Sequence, residues 1–222
     1  MVFVVASCVV LTGCITGARP SFSTDEVLEL GPPPSIDGTI NDIESVVVIG
    51  DSITAASADA IRYVLTASGV TDITIDGVAS RRIEVGNGST EPLSGVRTLT
   101  TLVADGAAPD VWVIALGTND LTSYSGAEAY AALVDEVIAL ISPSTTLVWI
   151  DAYLPQHLEQ SEVFNEVLRT QLGERGNAAV GSWFAVAAQP DTDLLRNDQI
   201  HPNNAGRIAF ATVIANALAR VT

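Results

Sequence analysis

The sequence predicts an α/β protein, a three-layer α/β/α sandwich with a five-stranded parallel sheet. Three observations predict it. Short runs such as Val46-Val47-Val48-Ile49 and Thr146-Leu147-Val148-Trp149-Ile150 show almost no polar residue, the pattern of strands buried on both faces. Helix-length segments with apolar residues on one face separate these runs, and such alternation implies parallel strands joined by helical crossovers. Hydrophobic residues make up 48% of the 222 and charged ones only 16%, enough apolar material to fill one core of that size.

The chain opens differently. Residues 2–11 are almost continuously apolar, a length that suits the core of a secretory signal and falls short of a membrane span. Leu11-Thr12-Gly13-Cys14 follows and resembles a bacterial lipoprotein lipobox, with a small residue before the cleaved bond and a thiol after it. The resemblance implies a signal peptide over residues 1–13 and lipidation of Cys14, although no Lys or Arg precedes the apolar run. Residues 14–44 carry Pro20, Pro32, Pro33 and Pro34 among Asp25, Glu26, Glu29, Asp37, Asp42 and Glu44 without a sustained period. They read as an acidic, proline-bearing tether, in which Val27, Leu28 and Leu30 could form an extra arm.

The body spans residues 45–222. Its first strand ends at Gly50, and Ile53 to Ala67 follows as a helix, with Ile61, Val64 and Leu65 at helical spacing and Gly69 as its stop. Thr71 to Asp76 alternates polar and apolar residues as a second strand, and Leu93 to Val103 forms the next helix. Asp110 to Leu116 is the clearest strand of all, and the alanine-rich helix from Gly126 to Ile141 is halted by Pro143. After the strand at 146–150, Leu158 to Leu172 places Val163, Phe164, Val167, Leu168 and Leu172 on one helical face. Ala178 to Val186 reads as the last strand and Asn203 to Ala219 as the closing helix.

Composition removes several functions. The formal charge of −16 comes from 26 carboxylates against ten cations, all of them arginine. That balance repels phosphate backbones and anionic lipid, so no nucleic acid is expected, and membrane contact is expected only through the anchor. Cys8 and Cys14 are the only cysteines, which leaves the body without a disulfide, a thiolate nucleophile or a cysteine metal site. His157 and His201 lie in unrelated segments and no phosphate-cradling glycine loop appears, so neither a metal nor a nucleotide cofactor is expected.

In parallel sheets of this kind ligands bind beyond the carboxyl ends of the strands. Polar motifs collect at those ends: Gly50-Asp51-Ser52, Gly77 to Arg82, Gly117-Thr118-Asn119-Asp120, and Asp198 with His201 just before the last helix. Ser52 is the candidate nucleophile, because a hydroxyl at a strand end and helix start is exposed to a neighbouring base; its bland alternative is a helix N-cap. His201 is the candidate base. Asp198, three residues earlier, can accept from one imidazole nitrogen while the other faces Ser52; Asp191 and Asp193 are rivals on the same stretch. His157 reads as a solvated loop residue, and Asp51 and Asp120 as acceptors that tie loops together. Arg81 and Arg82 fit either an anionic substrate or carboxylate partners. Trp112 and Trp149 belong to the core, while Trp183 and Tyr124 divide evenly between pocket lining and packing.

The ordered set VVVIGDSITAAS, IDGVASRRI, VIALGTNDL and NDQIHPNNAG resembles the SGNH (GDSL-like) hydrolase superfamily across Ser45 to Val221. The Gly-x-Ser-x-Gly elbow of α/β-hydrolases is absent. The resemblance implies the flavodoxin-like strand order 2-1-3-4-5 and a carboxylic ester hydrolase working through an acyl-enzyme without a cofactor. Ser52 would be the nucleophile, His201 the base and Asp198 the acid. An oxyanion hole would combine the Ser52 backbone N–H, the Asn119 side-chain amide and a backbone N–H of the second motif. There the family usually has glycine where Ser80 stands, and a donor survives the change only if the position does not require a positive φ; Gly77 is the fallback. The body leaves little room for a lid domain, which points to short acyl groups such as acetyl. The expected protein is an exported, lipid-anchored monomer on the outer face of a bacterial membrane, acting on a small-molecule or glycan ester. An O-acyltransferase for cell-surface glycans and a non-catalytic surface binding lipoprotein fit the same residues.

Overall fold

Successive residues of a strand point to opposite faces, so a strand with no polar residue must be covered on both. The computed structural model, which describes residues 31–84 and 94–221, shows how this is done. The expected signal peptide, Cys14 and the Val27-Leu28-Leu30 cluster lie outside the described residues, as does Leu93 at the expected start of the second helix. Strands β1 (Ser45–Gly50), β2 (Asp72–Gly77), β3 (Val111–Ala115), β4 (Thr146–Ile150) and β5 (Ala178–Gly181) form one parallel sheet in the order β2-β1-β3-β4-β5.

The helices divide between the faces. Val46, Val48, Val113 and Val148 pack toward α1 (Ser52–Ala67) and α6 (Asn204–Ala219), with Ile61, Leu65, Ile214 and Leu218 opposite them. Val47, Ile49, Ile114, Leu147 and Trp149 point the other way, toward α2 (Gly95–Ala104), α3 (Ala127–Leu140) and α4 (Leu158–Arg175). Trp112 and Trp149 are both core residues, at 3% and 0% exposure.

The last strand is shorter than expected. β5 stops at Gly181, and Trp183–Ala187 forms a short helix, α5, where the sequence reads as strand through Val186. Two contacts explain the break. A side chain at Gly181 would meet Ile150 Cδ1 at 2.4 Å, so the chain comes close to β4 there; the Asp151 carboxylate then accepts from the Phe184 N–H at 2.7 Å. A helix start satisfied by a carboxylate outcompetes continued strand, and Trp183 turns into the core against Phe210.

The described end of the expected tether is also different. Residues 31–44 have no strand or helix, yet Ile36 and Ile40 pack on the α1–α6 side of the core and Ile43 is buried. The Asp37 N–H donates to Asn216 Oδ1 at 2.8 Å, and the Glu44 and Ser45 N–H groups donate to Asp110 Oδ2. Three isoleucines are enough to hold this stretch to the body, a signal that proline and acid content obscured.

Candidate active site

The register places the carboxyl ends of three strands side by side, with Gly50 opposite both Gly77 of β2 and Ala115 of β3. The chain turns tightly here. A Cβ on Gly77 would lie 2.4 Å from the Ala55 backbone nitrogen, so the end of β2 passes directly against the first turn of α1. Gly117 has φ +133°, a conformation that side-chain-bearing residues avoid, and a Cβ there would enter the Phe164 ring.

Asp51 caps α1: its Oδ1 accepts from the Ile53 N–H at 2.8 Å. The N-cap alternative for Ser52 therefore falls away, because its neighbour fills that role. Ser52 becomes the first helical residue, where a backbone N–H has no acceptor within its own helix.

His201 arrives from the far end of the chain. Its Nε2 lies 2.9 Å from Ser52 Oγ and its Nδ1 lies 2.8 Å from Asp198 Oδ2. Asp198 Oδ1 accepts from the Ile200 and His201 N–H groups, both at 2.9 Å, so the carboxylate is held by its own turn. Gln199 inside that turn has φ +59°, local strain at the point where the acid and the imidazole are brought together. A bridge between Leu195 and Pro202 and the bond from Arg196 N–H to His201 O at 2.8 Å close the loop. Burial raises the Asp198 pKa, but the His201 backbone and ring and the Ile200 N–H outweigh it and hold the carboxyl below its ordinary range. Asp193 bonds the loop through its carbonyl, which accepts from Asn203 Nδ2, and Asp191 is exposed. His157 sits half-buried in a single 3₁₀ turn ahead of α4, not on open surface, and its carbonyl accepts from Ser161 Oγ.

Asn119 stands between the first two motifs. Its Nδ2 donates to Asp51 Oδ2 and to the Arg81 carbonyl, both at 3.1 Å. Asp120 beside it accepts from the Ile83 N–H with both oxygens at 3.2 Å. Both aspartates thus tie loops together. Ser80 lies exposed in the turn after β2 with φ +62°. The condition set for its N–H is thereby corrected: the position does adopt a positive φ, and serine occupies it at a cost on the order of 1 kcal/mol. Arg81 is 3% exposed and pairs with Asp76, which is the carboxylate partner of the two alternatives. Tyr124 is half-buried against the α2–α4 side of the core.

Sequence reasoning missed Asp151. It directly follows β4 as Asp51 directly follows β1, and the same rule of polar residues at strand carboxyl ends would have found it. Asp51, Thr118, Asp151 and Trp183 line a cavity of about 10 Å³, room for one water centre, and the buried Trp183 Nε1 has no hydrogen-bond partner. Among the described residues no group of three His, Cys, Asp or Glu side chains is placed to hold a metal ion.

Burial pushes the Asp51 and Asp151 carboxyls up to about 6 and Asp120 up to about 7. Folded protein therefore binds more protons than unfolded chain between about pH 4 and pH 7, and stability declines as pH rises through that window. We expect the midpoint of thermal unfolding to be higher at about pH 5 than at about pH 8, with a smaller difference in D120N. Asp198 and Asp110, both lowered, act in the opposite sense but only below about pH 4. Equal midpoints at the two pH values would contradict this account.

A family model described as GDSL-like Lipase/Acylhydrolase matches residues 48–207. Among curated protein sequences none matches. Several solved structures share the fold. The carbohydrate acetylesterase Est24 from Sinorhizobium meliloti superposes with a TM-score of 0.63 at 16% identity, covering 81% of this chain and 100% of that one. The C-terminal catalytic domain of Streptococcus pneumoniae peptidoglycan O-acetyltransferase A gives 0.62 at 18% identity, covering 81% and 94%. The psychrotrophic esterase EstA from Pseudoalteromonas sp., inhibited by monoethylphosphonate, gives 0.59 at 16% identity, covering 80% and 97%.

Proposed function

Because the chain belongs to the GDSL-like lipase/acylhydrolase family, we propose that it hydrolyses carboxylic esters of short acyl groups through an acyl-enzyme on Ser52. One observation carries this reading: Ser52 Oγ, the His201 ring and the Asp198 carboxylate touch in series at 2.9 and 2.8 Å. A serine hydroxyl attacks a carbonyl only as its proton leaves, and His201 Nε2 is in place to take it. Asp198 accepts from Nδ1–H, fixes the tautomer with Nε2 unprotonated, and steadies the imidazolium that forms.

Attack puts a negative charge on the former carbonyl oxygen. The Ser52 and Ser80 N–H groups and the Asn119 amide are the donors assigned to it. Both Asn119 hydrogens are already engaged, so one must pass to the oxyanion. The Asp51 carboxylate holds its hydrogen in a charge-assisted bond, and the one on the Arg81 carbonyl is released more easily. Collapse of the intermediate expels the alcohol with the proton from His201. Water then enters, loses a proton to the same nitrogen and attacks the acyl carbon; the bond to Ser52 Oγ breaks, His201 returns the proton to that oxygen, and the acid leaves. The Leu11-Thr12-Gly13-Cys14 motif supports export and a lipid anchor at Cys14.

A panel of p-nitrophenyl esters and acetylated glycans, with product analysis in the presence of a glycan acceptor, tests the reading. Free carboxylic acid as the main product, fastest for acetyl and slower with each added carbon pair, is the expected result. Acylated acceptor with little free acid would replace hydrolysis by transfer. No turnover of any ester would leave a binding protein.

A further inference from the structure

The sequence leaves Arg81 between an anionic substrate and a carboxylate partner; in the structure it contacts all three motifs around the proposed oxyanion hole. Its Nη2 meets Asp76 Oδ1 at 3.0 Å, and its Nη1 donates to the Asp76 carbonyl at 2.6 Å and to the Gly50 carbonyl at 3.2 Å. Gly50 is two residues before Ser52, and Asp76 is next to last in β2. The guanidinium therefore clamps the carboxyl ends of β1 and β2 to each other. The backbone of Arg81 does as much. Its N–H donates to the Val78 carbonyl at 3.2 Å, closing the turn that contains Ser80, and its carbonyl accepts from Asn119.

Resting on the hydrolase reading above, we propose that Arg81 is a positioning residue that sets the distance between the Ser52 and Ser80 backbone N–H groups, the two main-chain donors of the oxyanion hole. It touches no reacting atom. A planar fork with fixed donor directions suits the task, because it holds two carbonyls and a carboxylate at once, which a single ammonium does less well. It also explains how a serine remains at φ +62° where the backbone favours glycine: the turn is closed by its neighbour on both sides. Burial matters as well, since a guanidinium shielded from water transmits position rather than merely adding charge.

The test compares the parent with R81M and R81K in the full chain. Turnover of p-nitrophenyl acetate is measured beside the affinity for an arylboronic acid, which forms a tetrahedral anion on the serine. R81M is expected to lose roughly 10²-fold in kcat, the scale of a misplaced donor, with KM within about twofold and boronate affinity falling in parallel. R81K should recover part of both losses. If R81M fails to fold, D76N takes its place; it keeps the contacts to both carbonyls and should give a smaller loss with the same split. A folded R81M with kcat within about twofold of the parent overturns the assignment, as does a kcat loss with unchanged boronate affinity. Should the parent turn over no ester, the hydrolase reading fails by itself. Arg81 is then judged by the rate at which a fluorophosphonate labels Ser52, and equal rates in parent and R81M overturn it.

Discussion

H201A is expected to lower kcat by at least about 10⁴-fold, and S52A by as much or more, while KM changes little. The reason is geometric. Nε2 of His201 is hydrogen-bonded to Ser52 Oγ at 2.9 Å, and the other nitrogen is committed to Asp198. His157, the only other histidine of the chain, sits ahead of α4 with its carbonyl engaged by Ser161. Without His201 the hydroxyl has no base to activate it, and the leaving alcohol has no acid. The second deficit gives a further signature. A p-nitrophenolate departs without a proton, whereas an alkoxide does not, so H201A should lose more on an alkyl ester than on the aryl ester. Because serine and histidine act as one unit, the double variant should be no slower than S52A alone. Steady-state kinetics on both esters checks all three statements, and a tenfold or smaller loss in H201A would point to a different base.

N119A carries the second-largest effect, about 10²- to 10³-fold in kcat. The amide donates a hydrogen bond that strengthens only as charge develops on the carbonyl oxygen, so the loss belongs to kcat and leaves KM near its original value. Its two resting bonds, to Asp51 and to the Arg81 carbonyl, raise a competing explanation in which the variant merely loosens the loops. Thermal unfolding separates the two: a lost oxyanion donor leaves the unfolding midpoint of N119A near that of the parent, whereas loosened loops lower it together with kcat. N119D, which presents oxygens to both acceptors and adds repulsion beside Asp51, should turn over no faster than N119A. Kinetic constants for N119A near those of the parent would remove Asn119 from the oxyanion hole.

The parallel sheet could be read from the chain because buried strands leave an unmistakable mark: Val46 to Ile49 and Thr146 to Ile150 have almost no polar residue, and their neighbours pack on both sides. The meeting of Ser52 with His201, 149 positions apart, was legible for a different reason. Each residue stands at a strand end or helix entry, and such sheets gather their polar ends at one rim. Trp183 was harder. Ala178 to Val186 reads as one strand, but the Asp151 carboxylate, contributed by another strand end, accepts from the Phe184 N–H in the short helix that replaces its second half. Ser80 illustrates another limit: it adopts a positive φ in a turn whose next residue, Arg81, reaches across to the Gly50 carbonyl of another strand, a contact that no local pattern contains. Ile36, Ile40 and Ile43 were outweighed by the prolines and acids around them, so the body begins earlier than composition indicated.

The most direct test of the triad is to trap the nucleophile. Parent protein treated with a fluorophosphonate should gain the mass of one phosphonyl group, mapped by peptide mass spectrometry to Ser52, with S52A unlabelled and H201A labelled far more slowly. A label on any other residue, or equal labelling of the parent and H201A, would contradict the assignment of Ser52 as a hydroxyl activated by His201.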